Sequence, residues 1–208
     1  MKLKVCGMRN QDNRTELLRL KPDYMGMIFY EKSSRHAEGA LSEDFLQEME
    51  DVKKTGVFVN ALAGYVLDKV KRYQLHAVQL HGQESPDFCA LMKGHNLEVI
   101  KVFSVGNGFD FNLLKPYEEV VDYFLFDTKG KHPGGNGVVF NWDILQNYPS
   151  ERPFFLSGGI SVGHVNRLKA FSHPKLYAID INSRFEIEPA LKDISLIQQL
   201  QNQLNHAT

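Results

Sequence analysis

Two residues able to move protons stand at the ends of apolar runs. In KVCGMRN (4–10), Cys6 closes a short apolar stretch and is followed by Gly7 and a polar turn. In VVDYFLFDT (120–128), Asp127 directly follows the apolar triplet FLF. A carboxyl group at the end of so apolar a run is partly desolvated, which raises its pKa and suits a general acid. The plainer alternative is a solvated aspartate that caps a turn. Cys6 also has two readings. Buried free cysteine is usually inert, whereas a thiol beside a cation is a candidate base or nucleophile. Side chains two apart on a strand share a face. An inward Cys6 therefore brings Lys4 inward one layer below, where it would favour the thiolate. An inward lysine needs a carboxylate partner, and Asp180 in LYAIDI (176–181) is the candidate.

Other segments suit anions. SGGI (157–160) places Gly158 and Gly159 between an apolar run and a helix-like stretch. Backbone N–H groups freed by such a turn, with a helix start nearby, attract phosphate. A tight turn with no ligand is the alternative. Arg35, in EKSSRH (31–36), has the planar fork that clamps a carboxylate; a surface arginine is the bland reading. His81, in QLHGQE (79–84), is a substrate contact or a solvated turn residue. TKGKHPGGNGVVFNW (128–142) holds four glycines and a proline. It is long for a connector and reads as a flap over a site. His76 and His81 fall at opposite ends of one run. Cys6 and Cys89 form no CxxC pair, so no metal is expected.

The elements that must position these residues repeat. Apolar runs occur at 3–6, 24–30, 55–59, 76–80, 97–103, 120–126, 153–157 and 176–181. Most are nearly continuously apolar, which is how strands covered on both faces read. Helical stripes lie between them: Phe45, Leu46, Met49 and Val52 after a Ser42–Glu43 start; Leu62, Val66, Val70 and Tyr73; Val162, Val165 and Leu168 after Ser161; Ile194, Ile197, Leu200 and Leu204. Strand starts recur about every 20–30 residues, the size of a βα unit. Eight such units predict an α/β fold, a single-domain (β/α)8 TIM barrel over residues 1–208. An open doubly wound sheet is the alternative. In a barrel, chemistry sits where strands end. Those ends carry Cys6, Arg35, His81, Asp127, the SGGI turn and the DINSR turn (180–184). The last two are the usual phosphate site of such a barrel, which adds Asn182 and Ser183 to the glycines.

Bulk composition narrows the class. Lys plus Arg is 24 and Asp plus Glu is 25 in 208 residues, a formal net charge of −1. A nucleic-acid partner would leave a basic excess. No run approaches the ~18 apolar residues of a membrane span, and the first segment is too short in apolar residues for a signal peptide. Two cysteines make no disulfide framework. The expectation is a cytoplasmic protein with free thiols and no nucleic-acid or membrane partner, either monomer or homodimer.

Taken together, KVCGMRN, MGMIFYEKSSRH, GVFVN, VQLHGQE, VIKVF, FLFDTKG with GGNGVVFNW, LSGGI and AIDINSRFE resemble the phosphoribosylanthranilate isomerase family of tryptophan biosynthesis, in order and through most of the chain. The resemblance implies a cofactor-free Amadori rearrangement of a phosphorylated small-molecule substrate. Cys6 would be the general base, Asp127 the general acid, and Arg35 the anchor of the anthranilate carboxylate. The phosphate would lie at Gly158, Gly159, Asn182 and Ser183, with His81 and Asp180 as further substrate contacts. Asn182-Ser183-Arg184 departs from the serine-serine-glycine usual for the family's last turn, and Ser157 stands where alanine is common. Two other readings remain. A different phosphate-binding barrel enzyme would need a lysine-based set or an acid at residue 6. A non-catalytic binder of phosphorylated metabolites would need neither Cys6 nor Asp127.

Overall fold

The near-continuous apolar runs become parallel strands. The computed structural model describes residues 1–42, 51–128 and 141–205. In chain order the strands are β1 (Lys2–Cys6), β2 (Tyr24–Ile28), β3 (Lys53–Phe58), β4 (Ala77–Leu80), β5 (Glu98–Val105), β6 (Tyr123–Thr128), β7 (Phe154–Leu156) and β8 (Leu176–Ile181). Each pairs with the next, and β8 pairs with β1, so the sheet closes into a barrel. The open doubly wound alternative is thereby excluded.

Alternation along the strands separates two cores. Tyr24, Ala77, Ile100, Val102, Leu125, Phe155 and Ala178 fill the barrel interior. Val5, Met27, Phe58, Phe124, Phe126 and Ile179 face outward and belong to the larger core beneath the surrounding layer. That layer includes α1 (Gln11–Leu18), α2 (Ala63–Tyr73), α3 (Pro86–Lys93), α4 (Val165–Ala170) and α5 (Ile194–Asn205). Val66 and Tyr73 of α2 are buried, as are Val165 and Leu168 of α4 and Ile197 and Leu200 of α5.

Several expectations shift in detail. Leu62 is the N-cap of α2 and is 81% exposed, so it is no part of the buried stripe. The connections after β5 and β6 tighten into 3₁₀ helices, Phe111–Tyr117 and Trp142–Asn147. Pro116, inside the first, cannot donate an amide hydrogen bond. Val52 is buried in the bend before β3. The remainder of the helix expected around Phe45–Met49 lies outside the described residues, as do residues 129–140 of the expected flap.

Two differences bear on the site. First, β6 continues to Thr128, so Asp127 is an inward-facing strand residue and not a loop residue. Second, the turn after β8 leads into an unexpected antiparallel hairpin, β9 (Glu186–Glu188) and β10 (Leu191–Lys192). No apolar run marks this hairpin. Its second strand packs against α1 and the turns after β1 and β8 through Lys192.

Candidate active site

The C-terminal ends of the strands surround one cavity of about 360 Å³. It gathers every residue singled out from the sequence: Cys6, Arg35, His81, Asp127, Gly158, Gly159, Asp180, Asn182 and Ser183. Gln79, Ser157, Lys32, Ser33 and Ser34 also line it. Closure of the barrel explains the convergence, since these residues stand at the C-terminal ends of β1, β4, β6 and β8 or in the loops after β2, β7 and β8.

Strand register sets the base of the site. Lys4 on β1 lies opposite Asp180 on β8, and Cys6 lies opposite Gly26 on β2. Lys4 Nζ donates to Asp180 Oδ1 at 2.8 Å, with the two side chains 0% and 5% exposed. The inward Lys4 and its Asp180 partner are therefore present as expected. A Cβ on Gly26 would lie 2.8 Å from Cys6 Sγ and 3.2 Å from Lys4 Nζ. The glycine leaves the space that the thiol and the ammonium occupy.

The electrostatic expectation for Cys6 needs correction. Burial dominates and pushes its thiol up; Lys4 pulls down, Asp180 pushes up and Lys192 pulls down, and the balance stays above the ordinary thiol value. Burial acts against the Lys4 charge, but Asp180 and Cys6 outweigh it and hold the ammonium protonated. Burial also lifts the Asp180 carboxyl, against the pull of Lys4. Burial thus keeps Cys6 toward the thiol, and the pull of Lys4 is further offset by Asp180.

Asp127 is 6% exposed, and its Oδ1 accepts the Thr128 N–H at 2.8 Å. Its Oδ2 stands 3.5 Å from His81 Nε2. Gln79 Nε2 meets His81 Nδ1 at 3.2 Å. With the Gln79 amide as the donor, His81 carries its proton on Nε2, facing Asp127. His81 Nε2 and Gln79 Oε1 are buried without a hydrogen-bond partner among the described residues. Ser157 Oγ reaches Asp180 Oδ2 at 3.5 Å.

The SGGI turn has two jobs. Gly158 and Gly159 adopt φ +89 and +67. A Cβ on Gly158 would come within 2.2 Å of Thr128 Oγ1 and 2.9 Å of Asp127 Oδ1, so packing against β6 already requires glycine there. The N–H groups of Gly158, Gly159 and Ile160 donate to no acceptor among the described residues. That leaves a nest of donors at the cavity wall. Ser161 N–H is satisfied by His164 Nδ1 at 3.1 Å. In the neighbouring turn after β8, Asn182 has φ −147, so this turn runs without the left-handed conformation that would demand glycine.

Arg35 is not idle before a ligand arrives. Its Nε and Nη2 grip Glu186 at 2.9 and 2.6 Å, leaving the Nη1 edge. Glu186 Oε1 also accepts from Lys192 Nζ at 2.5 Å, and Lys192 Nζ reaches Asn182 Oδ1 at 2.8 Å. Sequence reading missed Glu186 and Lys192. FEIEPALKD shows a short charged turn, with nothing to say that it folds under the first strand. Among the described residues, no three His, Cys, Asp or Glu side chains converge as a metal site.

Comparison with known proteins agrees with this geometry. A family model for N-(5'phosphoribosyl)anthranilate (PRA) isomerase matches residues 3–203. The chain is 42% identical over 208 residues to an N-(5'-phosphoribosyl)anthranilate isomerase of Parabacteroides distasonis, covering 99% of this chain and 94% of that one. A solved phosphoribosyl anthranilate isomerase in complex with reduced 1-(o-carboxyphenylamino)-1-deoxyribulose 5-phosphate is 28% identical, with TM-score 0.80 and 98% of each chain covered. A solved structure of monomers generated from the dimeric Thermotoga maritima enzyme is 29% identical, with TM-score 0.79 and 98% of each chain covered. With the barrel, the cavity and these likenesses in agreement, the chain belongs to the N-(5'-phosphoribosyl)anthranilate isomerase family and is an isomerase.

Proposed function

We propose that the chain converts N-(5'-phosphoribosyl)anthranilate to 1-(2-carboxyphenylamino)-1-deoxyribulose 5-phosphate, an Amadori rearrangement of tryptophan biosynthesis, with Cys6 as general base and Asp127 as general acid. The observation that carries this reading is the placement of both groups in one cavity between two anion anchors. At one wall stand the N–H groups of Gly158, Gly159 and Ile160, unpaired among the described residues, with Asn182 and Ser183 beside them. At the other stands the Nη1 edge of Arg35. A substrate with phosphate at one end and carboxylate at the other would span them, which fixes its reacting carbons between acid and base.

The Asp127 carboxyl donates its proton to the ring oxygen. The C1–O bond breaks, and the anilino nitrogen lone pair forms a C1=N iminium. The Cys6 thiolate then takes the C2 proton; the C–H electrons form C1=C2, and the iminium electrons return to nitrogen. The product is the enolamine, which tautomerises to the ketone. The iminium is the electron sink, so the reaction draws on no cofactor. Each proton transfer contributes about 10²–10⁴-fold. His81 and Asp180 would contact sugar hydroxyls. A base that works as a thiolate needs a reducing compartment, which suits the cytoplasm. All these residues come from one chain, taken as a single catalytic domain, so monomer and homodimer alike would carry the site.

The test is turnover of freshly generated phosphoribosylanthranilate, followed by loss of its fluorescence. Cys6→Ala and Asp127→Asn are each expected to lose at least ~10²-fold with unchanged thermal melts. An inactive wild type, or either variant within tenfold of it, sinks the assignment.

A further inference from the structure

A thiolate base at Cys6 needs a positive charge that Lys4 does not supply alone. Lys192 is the other buried ammonium beside it. We propose that Lys192, anchored by Glu186 and Asn182 beside the Cys6–Gly7 turn, is the positioning residue that favours the thiolate form of Cys6 against its burial. The proposal rests on the reading of Cys6 as the base and deepens it.

Lysine on a short surface hairpin ordinarily extends its ammonium to water. Neighbouring Ile187 is 71% exposed, yet Lys192 is 1% exposed. Its backbone is clamped on both sides by Asn13: Lys192 N–H donates to Asn13 Oδ1 at 2.7 Å, and Asn13 Nδ2 donates to Lys192 O at 2.9 Å. The chain direction is thereby set, and the side chain runs inward. Glu186 Oε1 and Asn182 Oδ1 then hold Nζ at 2.5 and 2.8 Å. The Cys6–Gly7 turn closes directly over it. A Cβ on Gly7 would fall 3.3 Å from Lys192 Nζ and 2.8 Å from Asn182 Oδ1, and Gly7 has φ +80. Glycine suits this close approach, since a side chain here would be strained by the positive φ and crowd Arg35 and Asn182.

The charges around Cys6 favour a negative partner. Lys4 from β1, Lys192 from β10 and Arg35 from the loop after β2 supply three cations. Asp180 from β8 and Glu186 from β9 supply two carboxylates. Asp127 and His81 reach this group through Asp180. A thiolate at Cys6 balances the one positive charge that these three cations and two carboxylates leave over. The two lysines are not equivalent. Asp180, which pairs Lys4, itself faces Cys6 and opposes the thiolate. Glu186, which pairs Lys192, is turned to Arg35 and gripped by two of its nitrogens. Burial pulls the Lys192 pKa down against Glu186, so the ammonium gains from a second negative neighbour, and Cys6 acts in that direction.

The experiment is the pH dependence of Cys6 alkylation by iodoacetamide, read by peptide mass, in wild type, Lys192→Met and Lys192→Arg. Buried Cys89 serves as the internal reference. The alkylation midpoint in Lys192→Met is expected to rise by at least about one unit, as for loss of a neighbouring charge. Turnover of that variant recovers as the pH is raised and thiolate re-forms. Lys192→Arg keeps the midpoint within about half a unit of wild type. An unmoved midpoint in folded Lys192→Met overturns the proposal, whatever happens to turnover, because Lys192 would then only fasten the hairpin. If Lys192→Met does not fold, Lys192→Arg carries the test, and a rise of more than about one unit there overturns it. Retained turnover in Cys6→Ala instead defeats the base assignment, while the alkylation midpoint still reports on Lys192 and the thiol.

Discussion

The two ends of the barrel bury the same kinds of residue and treat them differently. At the strand N-termini, Tyr24 donates to Glu98 at 3.0 Å and meets the Tyr177 hydroxyl at 3.2 Å. Lys53 pairs with Glu98, and Tyr123 stacks on Tyr177 with ring centroids 4.6 Å apart. Phe155 packs edge-on against Tyr24 and Tyr123. These polar atoms satisfy one another around an aromatic plug. At the strand C-termini, His81 Nε2, Gln79 Oε1 and the SGGI amides face a cavity without partners among the described residues. An unsatisfied buried polar group costs about 1–3 kcal/mol. A closed network stabilises; an open one keeps donors and acceptors ready for a ligand, at some loss of stability.

Substitutions from one end to the other sharpen that contrast. The largest loss of stability is expected for Lys4→Met, one layer below the mouth. It leaves buried Asp180 without its cation, at about 3–5 kcal/mol. Asp180 then has a folded pKa far above its unfolded value, and its protonated form is stable in the fold below that value. The gap from wild type in urea denaturation should narrow as the pH falls from neutral toward acid. A gap that stays constant or widens means that Asp180 does not carry the penalty.

Gly158→Ala comes next and strikes the mouth. Its Cβ would collide with Thr128 and crowd Asp127 Oδ1 at a positive φ. Displacing Asp127, the proposed acid, should lower kcat roughly 10²-fold. Wild-type kcat in this variant would show that the SGGI turn yields without disturbing Asp127. The smallest effect is expected at the bottom. Tyr24→Phe removes one hydroxyl from the closed network, for about 1 kcal/mol of stability and no change in kcat/KM. A clear drop in turnover there would join the two ends functionally and undo the comparison.

Much of this site is legible along the chain because barrel architecture converts strand order into spatial order. Cys6, Asp127 and Asp180 are readable as chemical residues at the ends of apolar runs. Their meeting follows once eight strands close. Arg35 is readable as a carboxylate binder, but its bidentate grip on Glu186 is not. Glu186 and Lys192 lie in the short charged segment between β8 and α5, which shows neither a long apolar run nor a helix signal.

Sequence by itself determined the strand–helix repeat and its order, since a near-continuous apolar run marks a strand covered on both faces; closure of the sheet was decided by the pairing of β8 with β1. It also determined the Lys4–Asp180 pair, because both residues lie on regular strands. Tertiary structure alone decided the charge around Cys6. That charge is a sum over Lys4, Asp180, Arg35, Glu186 and Lys192, contributed by β1, β8, the loop after β2, β9 and β10. Electrostatic balance in a buried site depends on distances between segments far apart in the chain and on how completely water is excluded, and neither is written in any short stretch of residues.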